Sequence, residues 1–353
     1  MTRVFASVAI GGTKCSVAIA SVVEGGIEWL GRADFSTTAS PQDVLDRLGT
    51  SLVRLLDATD DVVLERIGVV CGGPLEESLG LVCTPPNLPR WNRVDAVTPF
   101  RDRFGVPVRL MNDANAGVLA EWTWGAAREA NHAAFLTMGT GLGAGLLLNE
   151  RLYVGATGLA GELGHWRLAD SGPHGYGKDG SFEGFCSGAG IAKAAQQVAL
   201  RNLQEGSHTE LSSNWMDLVD ISAQQLARAA DDGDPVALAM WSDVGQRLGQ
   251  GLALLIDLLN LEVIILGGIF FRQHQRLVEP MREVLKREAL SEALDACRIE
   301  PSGLGEAISD YSGLVAALVG DETTSTGRQL SRATPEAPRP NQDRKDLTTK
   351  AQS

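Results

Sequence analysis

Positive charge, long apolar runs and paired cysteines are all scarce in this sequence of 353 residues. There are 31 Lys and Arg against 44 Asp and Glu, giving a net charge of −13. Binding a phosphate backbone needs a basic stripe, and none is found, so no nucleic-acid partner is expected. No stretch reaches the roughly 18 uninterrupted apolar residues of a membrane span, so no membrane partner is expected either. Cys15, Cys71, Cys83, Cys186 and Cys297 are scattered and never in CxxC spacing. They read as reduced thiols of a reducing compartment. Arg3 and the apolar residues after it imitate a signal peptide, but Gly11, Gly12 and Lys14 interrupt the run too early. The expected location is the cytoplasm.

What is present is an apolar fraction of 44% with 40 glycines, enough for a sizeable core in two domains. The first part alternates strands and helices. A hairpin over 4–20 is followed by a helix at Pro41–Asp57, a strand at Arg66–Val70 and a Gly/Pro-rich loop through Asn92. A helix at Val94–Phe104 and a strand at Val106–Met111 complete this part. This mixture indicates an α/β fold. Next come a helix from Ala114 to about Gly125, the strand His132–Met138, a glycine turn and the strand Ala144–Leu148. Pro235–Leu259 has the apolar spacing of a long helix, and it feeds the strand Glu262–Leu266, whose continuous apolar run suits a strand covered on both faces. A last helix is expected at Ser309–Val319. From Gly320 the chain has almost no aliphatic residues and is expected to be disordered.

One design occurs twice. "VAIGGTKCSVAIA" and "LTMGTGLGAGLLLN" are both strand, glycine turn with threonine, strand, which points to two related domains facing a common cleft. Glycines let a backbone approach a ligand closely, and the N–H groups they expose can line an anion site. Phosphate is the natural occupant of both tips. Two tight hairpins without a ligand are the plain alternative. Neither turn is GxxxxGK[ST]. Gly139 to Ala144 matches GxGxxA, but a dinucleotide-binding turn must open a helix, and here a strand follows.

Polar residues cluster around glycines further along. Asn112 and Asp113 end an apolar strand where a helix begins. Asp113 is there either a helix cap or a general base at the carboxyl end of a strand. Glu162 and His165 lie three apart in "GELGH", and Glu183 stands just ahead of a helix in "GSFEGF". Each has a structural alternative, and for Glu183 that is stabilising the helix start.

Together, GGTK, GGP at Gly72–Pro74, PPNLPRW at Pro85–Trp91, NDANA, GTGLGAG, GELGH, GSFEGF, EVIILGG and SDYSG resemble the ROK family of sugar kinases, in family order over about residues 4–318. The resemblance implies an α/β actin-like ATPase (ribonuclease H-like) fold, with two α/β domains around a central cleft. They would cover 1–113, completed by a helix at 306–319, and 114–305, followed by a tail over 320–353. It implies ATP and Mg²⁺ as cofactors, a small-molecule sugar as partner and a homodimer as a possible assembly. Asp113 would deprotonate a sugar hydroxyl attacking the γ-phosphate of ATP. Asn112, Glu162, His165 and Glu183 would hold the other hydroxyls, and Gly72, Gly73 and Asn87 would shape the opposite wall. Gly11, Gly12, Thr13, Lys14, Gly139, Thr140 and Gly141 would receive phosphates, and Gly267 and Gly268 would lie against the adenosine. The simplest product would be glucose 6-phosphate. A sugar-binding protein with weakened catalysis is the alternative. The family also holds sugar-responsive repressors with an N-terminal winged helix-turn-helix. This chain enters its first strand at once, so a kinase is expected.

Two departures from the family pattern matter. Ala9 replaces an acid that helps to hold Mg²⁺ through water. His174, Tyr176 and Ser181 stand where most members carry three zinc cysteines. With only His165 and His174 left as ligands, no structural zinc is expected, although Asp170 or Asp179 could complete a two-histidine site.

Overall fold

Residues 1–24, 26–206, 211, 214 and 216–319 are described by the computed structural model. The tail from Gly320, expected to be disordered, lies outside the described residues. The apolar run at the N-terminus becomes β1 (Thr2–Ile10), whose inner residues are buried. It pairs antiparallel with β2 (Lys14–Val23), which pairs with β3 (Gly26–Ser36). Ser40 caps α1 (Pro41–Asp57), and Pro41 follows at the helix start, where its missing N–H costs nothing. β4 (Val62–Cys71) runs parallel to β1.

The Gly/Pro-rich loop folds into a small sheet of β5 (Leu75–Glu76), β6 (Leu81–Cys83) and β7 (Asn92–Asp95). The expected helix at Val94–Phe104 is therefore corrected: Val94 lies in β7, and α2 spans only Thr98–Phe104. The cause is local, because the Asp95 carboxylate accepts the N–H groups of Val97 and Thr98 and starts the helix there. β8 (Val108–Asn112) closes the first sheet in the order β3-β2-β1-β4-β8 and leads into α3 (Asp113–Trp124).

The second sheet repeats this plan. β9 (His132–Met138), β10 (Leu142–Leu148) and β11 (Arg151–Tyr153) form an antiparallel meander. A two-stranded hairpin, β12 (His174–Gly175) and β13 (Lys178–Asp179), precedes α4 (Phe182–Cys186), α5 (Gly188–Glu205), α6 (Ala223–Asp231) and α7 (Pro235–Leu259). β14 (Val263–Leu266), α8 (Ile269–Glu288), α9 (Ser291–Ala296), β15 (Arg298–Pro301) and α10 (Ile308–Leu318) complete the described chain. The sheet order is β11-β10-β9-β14-β15, with β14 parallel to both β9 and β15.

The fifth strand of each sheet feeds a helix that packs against the other sheet. α3 leaves the first sheet and lies on β9 and β10, and α10 leaves the second and lies on β1 and β4. Residues Ala114 to Trp124 of α3 are all buried, Asn115, Glu121 and Thr123 among them, so the helix has no solvent face. α3 and α10 form a core that reaches from Val70 and Met111 to Phe135 and Ile265. A second core lies between the first sheet and α1, and a third between the second sheet and α4–α8. Two glycines make the close approach of α10 possible: a Cβ on Gly68 would lie 2.0 Å from the Gly313 carbonyl oxygen, and one on Gly313 would lie 2.0 Å from Ser7 Oγ. Among the described residues no helix is long and apolar enough to cross a membrane.

Candidate functional site

The two glycine turns meet. Thr13, between β1 and β2, places its Oγ1 3.3 Å from Oγ1 of Thr140, between β9 and β10. Each turn is closed by one backbone bond, Gly11 N–H to the Lys14 carbonyl (3.1 Å) and Gly139 N–H to the Gly141 carbonyl (3.0 Å). Gly12 has no room for a side chain, since a Cβ there would stand 2.6 Å from the Asn87 Cβ. The Asn87 loop therefore rests directly on the first turn. α5 begins against the second, with Gly188 N–H donating to the Gly139 carbonyl at 2.7 Å.

Below the turns lies a cleft of about 230 Å³. Its floor is the junction of β8 and α3. Asn112, not Asp113, caps the helix: its Oδ1 accepts the N–H groups of Ala114 and Asn115 at 3.0 and 3.1 Å. That leaves the Asp113 carboxylate at the cleft, where its Oδ1 accepts the Ala114 N–H at 2.9 Å. Burial pushes the Asp113 carboxyl above the usual carboxylate range, and the negative charge of Glu162 acts in the same direction.

Glu183 lies inside the first turn of α4 rather than ahead of it, because Ser181 is the cap. Its Oε2 accepts the Leu142 N–H at 3.1 Å, and burial raises its carboxyl. Glu162 accepts the Tyr176 hydroxyl at 2.8 Å. Burial, and then that bond, push the tyrosine far above its ordinary value, so it stays a neutral donor. Gly72 and Gly73 bring the opposite wall close: a Cβ on Gly73 would lie 3.3 Å from Asn112 Nδ2 and 3.7 Å from Glu162 Oε1. Asn87 and Gly141 lie together at the roof, where a Cβ on Gly141 would stand 3.2 Å from Asn87 Nδ2 and 3.0 Å from Glu183 Oε2.

Some of the residues singled out in the sequence do not line this cleft. The His165 ring is exposed and lies tilted against Tyr176, with centroids 3.7 Å apart and an interplanar angle of 42°. Tyr176 takes the place at the wall. In the sequence Tyr176 stands only as a replaced cysteine, because a contact across this loop leaves no periodic signal. Lys14 turns away to pair with Asp34 at 3.1 Å. Gly267 and Gly268 are packing positions. A Cβ on Gly267 would meet the Phe135 ring at 2.9 Å. At Gly268, with φ +61°, a Cβ would meet the Met138 carbonyl oxygen at 2.2 Å.

The residues standing in for zinc cysteines have other partners. His174 Nδ1 bonds Asp179 Oδ1 at 3.0 Å, and Ser181 Oγ donates to the Gly175 carbonyl at 2.8 Å. Among the described residues no three His, Cys, Asp or Glu side chains cluster as a metal site. Mg²⁺ makes a lighter demand, since phosphates and water supply most of its ligands. Ala9 pairs with Ser16 of β2, which pairs with Asp34 of β3. Asp34 and Asp310 are both bound to Arg32, and Asp310 also accepts from Ser16 Oγ at 3.4 Å. The carboxylates that line the cleft are Asp113, Glu162 and Glu183, and they fit an ion that arrives on a nucleotide with phosphate and water ligands of its own.

Residues 5–318 match the model of the ROK family. A glucokinase of Thermotoga maritima is 32% identical over 279 residues, 78% of this chain and 84% of that one. A xylose repressor of Caldicellulosiruptor bescii is 28% identical over 256 residues, 72% of this chain, which spans only 62% of that repressor's length. A solved ROK family glucokinase from Streptomyces griseus, in complex with glucose and AMPPNP, superposes with a TM-score of 0.75 at 26% identity, covering 90% of this chain and 100% of that one. With its paired sheets and its match over nearly the whole described length, this chain belongs to the ROK family and has the actin-like ATPase fold.

Proposed function

We propose that this chain transfers the γ-phosphoryl group of ATP to a hydroxyl of a hexose or N-acetylhexosamine, with glucose to glucose 6-phosphate as the simplest reaction. The observation that carries the reading is the Asp113 carboxylate, freed from capping by Asn112 and raised in pKa, at the floor of a cleft roofed by two glycine turns. The sugar hydroxyl gives its proton to Asp113 as its oxygen bonds to the γ-phosphorus, and the bond to the β-phosphate oxygen breaks to release ADP. Asn112, Glu162, Glu183 and Asn87 supply acceptors and donors for the other hydroxyls, each of which is both donor and acceptor. Tyr176 holds Glu162 in place for this. Thr13, Thr140 and the turn backbones would meet the phosphates, and Mg²⁺ would neutralise phosphate charge. In this reading the chain divides into 1–113 with 306–319, and 114–305, and closure of the cleft excludes water.

A second reading, sugar binding without turnover, is favoured by Ala9 and by the likeness to a repressor. Sugar-dependent ADP release from Mg-ATP separates the two. The sugars would be glucose, mannose, fructose, allose, N-acetylglucosamine and N-acetylmannosamine, with Asp113→Asn as the blank. Release with wild type and a loss of about 10²–10⁴-fold in the variant is expected. Silence from folded wild type that still binds sugar would favour the second reading.

A further inference from the structure

The cleft does not end at the wall formed by Gly73, Asn112, Gly158 and Glu162. A second cavity, of about 340 Å³ against about 230 Å³ for the cleft, opens on the other side of these same residues. We infer that it is a subsite for a second ring, so that the acceptor is a neutral disaccharide whose phosphorylated ring faces Asp113. This rests on the kinase reading above.

Size and chemistry both support it. If the smaller cavity holds one pyranose, the larger has room for another, and the pair falls within the usual range of ligand sites, about 300–1,000 Å³. One side is built by Glu76, Glu77 and Ser78, the other by Thr157 and Leu159. Hydroxyls and carboxylates suit sugar hydroxyls, and Leu159, 51% exposed, offers an apolar face to the C–H side of a ring. Glu76 is already paired with Arg93 and Glu77 lies in the field of Arg109, while no Lys or Arg is among the residues lining the cavity, so it offers acceptors to a neutral sugar and no cation to an acidic sugar or sugar phosphate. Glu77 Oε1 also accepts the Asn112 N–H at 2.9 Å. The subsite wall is thereby bonded to the residue that frees Asp113.

The test measures kcat/KM for hexoses and for maltose, cellobiose, trehalose and sucrose, in wild type and in two variants that fill the cavity from opposite sides, Ser78→Trp and Thr157→Trp. Wild type is expected to phosphorylate at least one disaccharide, and the ratio of disaccharide to hexose kcat/KM to fall at least tenfold in a folded variant. Hexose phosphorylation with no disaccharide turnover, or an unchanged ratio, would overturn the subsite and leave the kinase standing. If no sugar is phosphorylated, the kinase reading fails and calorimetry with the same sugars decides the subsite. Disaccharide binding weakened by either variant would support it, and binding equal in all three proteins would overturn it.

Discussion

The hydroxyls of Thr13 and Thr140 face each other at 3.3 Å although 127 positions separate them in the chain. Each sits on the tip of an equivalent hairpin in one of two sheets of the same order, so their meeting follows from the repeated plan. If this pair grips the phosphates, Thr13→Val and Thr140→Val should each raise the KM for ATP about tenfold, as expected for losing one hydrogen bond to a charged group. The KM for sugar should stay the same. An equal rise for both substrates would mean that the pair holds the hairpins and not the nucleotide.

Activity should fall with decreasing pH earlier than for an ordinary carboxylate base. Asp113 must be ionised to accept a proton, and burial together with Glu162 raises its pKa, so the active fraction is lost as pH drops through that raised value. A profile of kcat against pH for wild type and Glu162→Gln measures this. Removing the like charge should move the acid limb to lower pH. An unmoved limb would assign it to another group, with Glu183 the next to test.

Ala9→Asp should lower the Mg²⁺ concentration needed for half-maximal rate by several-fold, because it restores a carboxylate on the β1 row that continues through Ser16 to Asp34. The titration is read at saturating sugar. No change would show that Asp113 and the phosphates already suffice.

The turn between β12 and β13 predicts a different kind of effect. Tyr176→Phe keeps the ring against His165 but removes the donor to Glu162. The KM for sugar should rise roughly five- to tenfold, the equivalent of one hydrogen bond of about 1–1.5 kcal/mol, with kcat changed less. A fall in kcat at constant KM would instead give Tyr176 a part in the chemical step.

Glu121 is fully buried in α3 and accepts from the Ser302 hydroxyl and from the N–H groups of Ala126, Gly303 and Leu304. Glu121→Ala would leave these donors unpaired and should cost about 3–5 kcal/mol in urea unfolding. A loss under about 1 kcal/mol would show that water or a rearranged backbone replaces the carboxylate.

How legible these features were depends on the range of the signal. α1 and α7 have the bounds read from the sequence, because Ser40 with Pro41 and Asp234 with Pro235 mark their starts locally. The boundary between β7 and α2 was misread because the apolar spacing around Val94 fits either element, and only the Asp95 cap decides. α8 was not foreseen: it starts straight after Gly267 and Gly268 and carries Pro280 inside. The floor of the cleft was legible, since Asn112 and Asp113 sit at a strand end. The exchange of Tyr176 for His165 at the wall was not, because it depends on how a glycine-rich loop folds back on itself.

The crossing of α3 and α10 has a consequence for how the chain folds. Each sheet gives away the helix that follows its fifth strand and is covered by the one it receives. A fragment ending near residue 113 would expose the inner face of the first sheet, and the fragment from 114 would keep α3 on the second sheet but strip α10 of the sheet it covers. The two halves of this chain, alike in plan, are therefore not separable folding units.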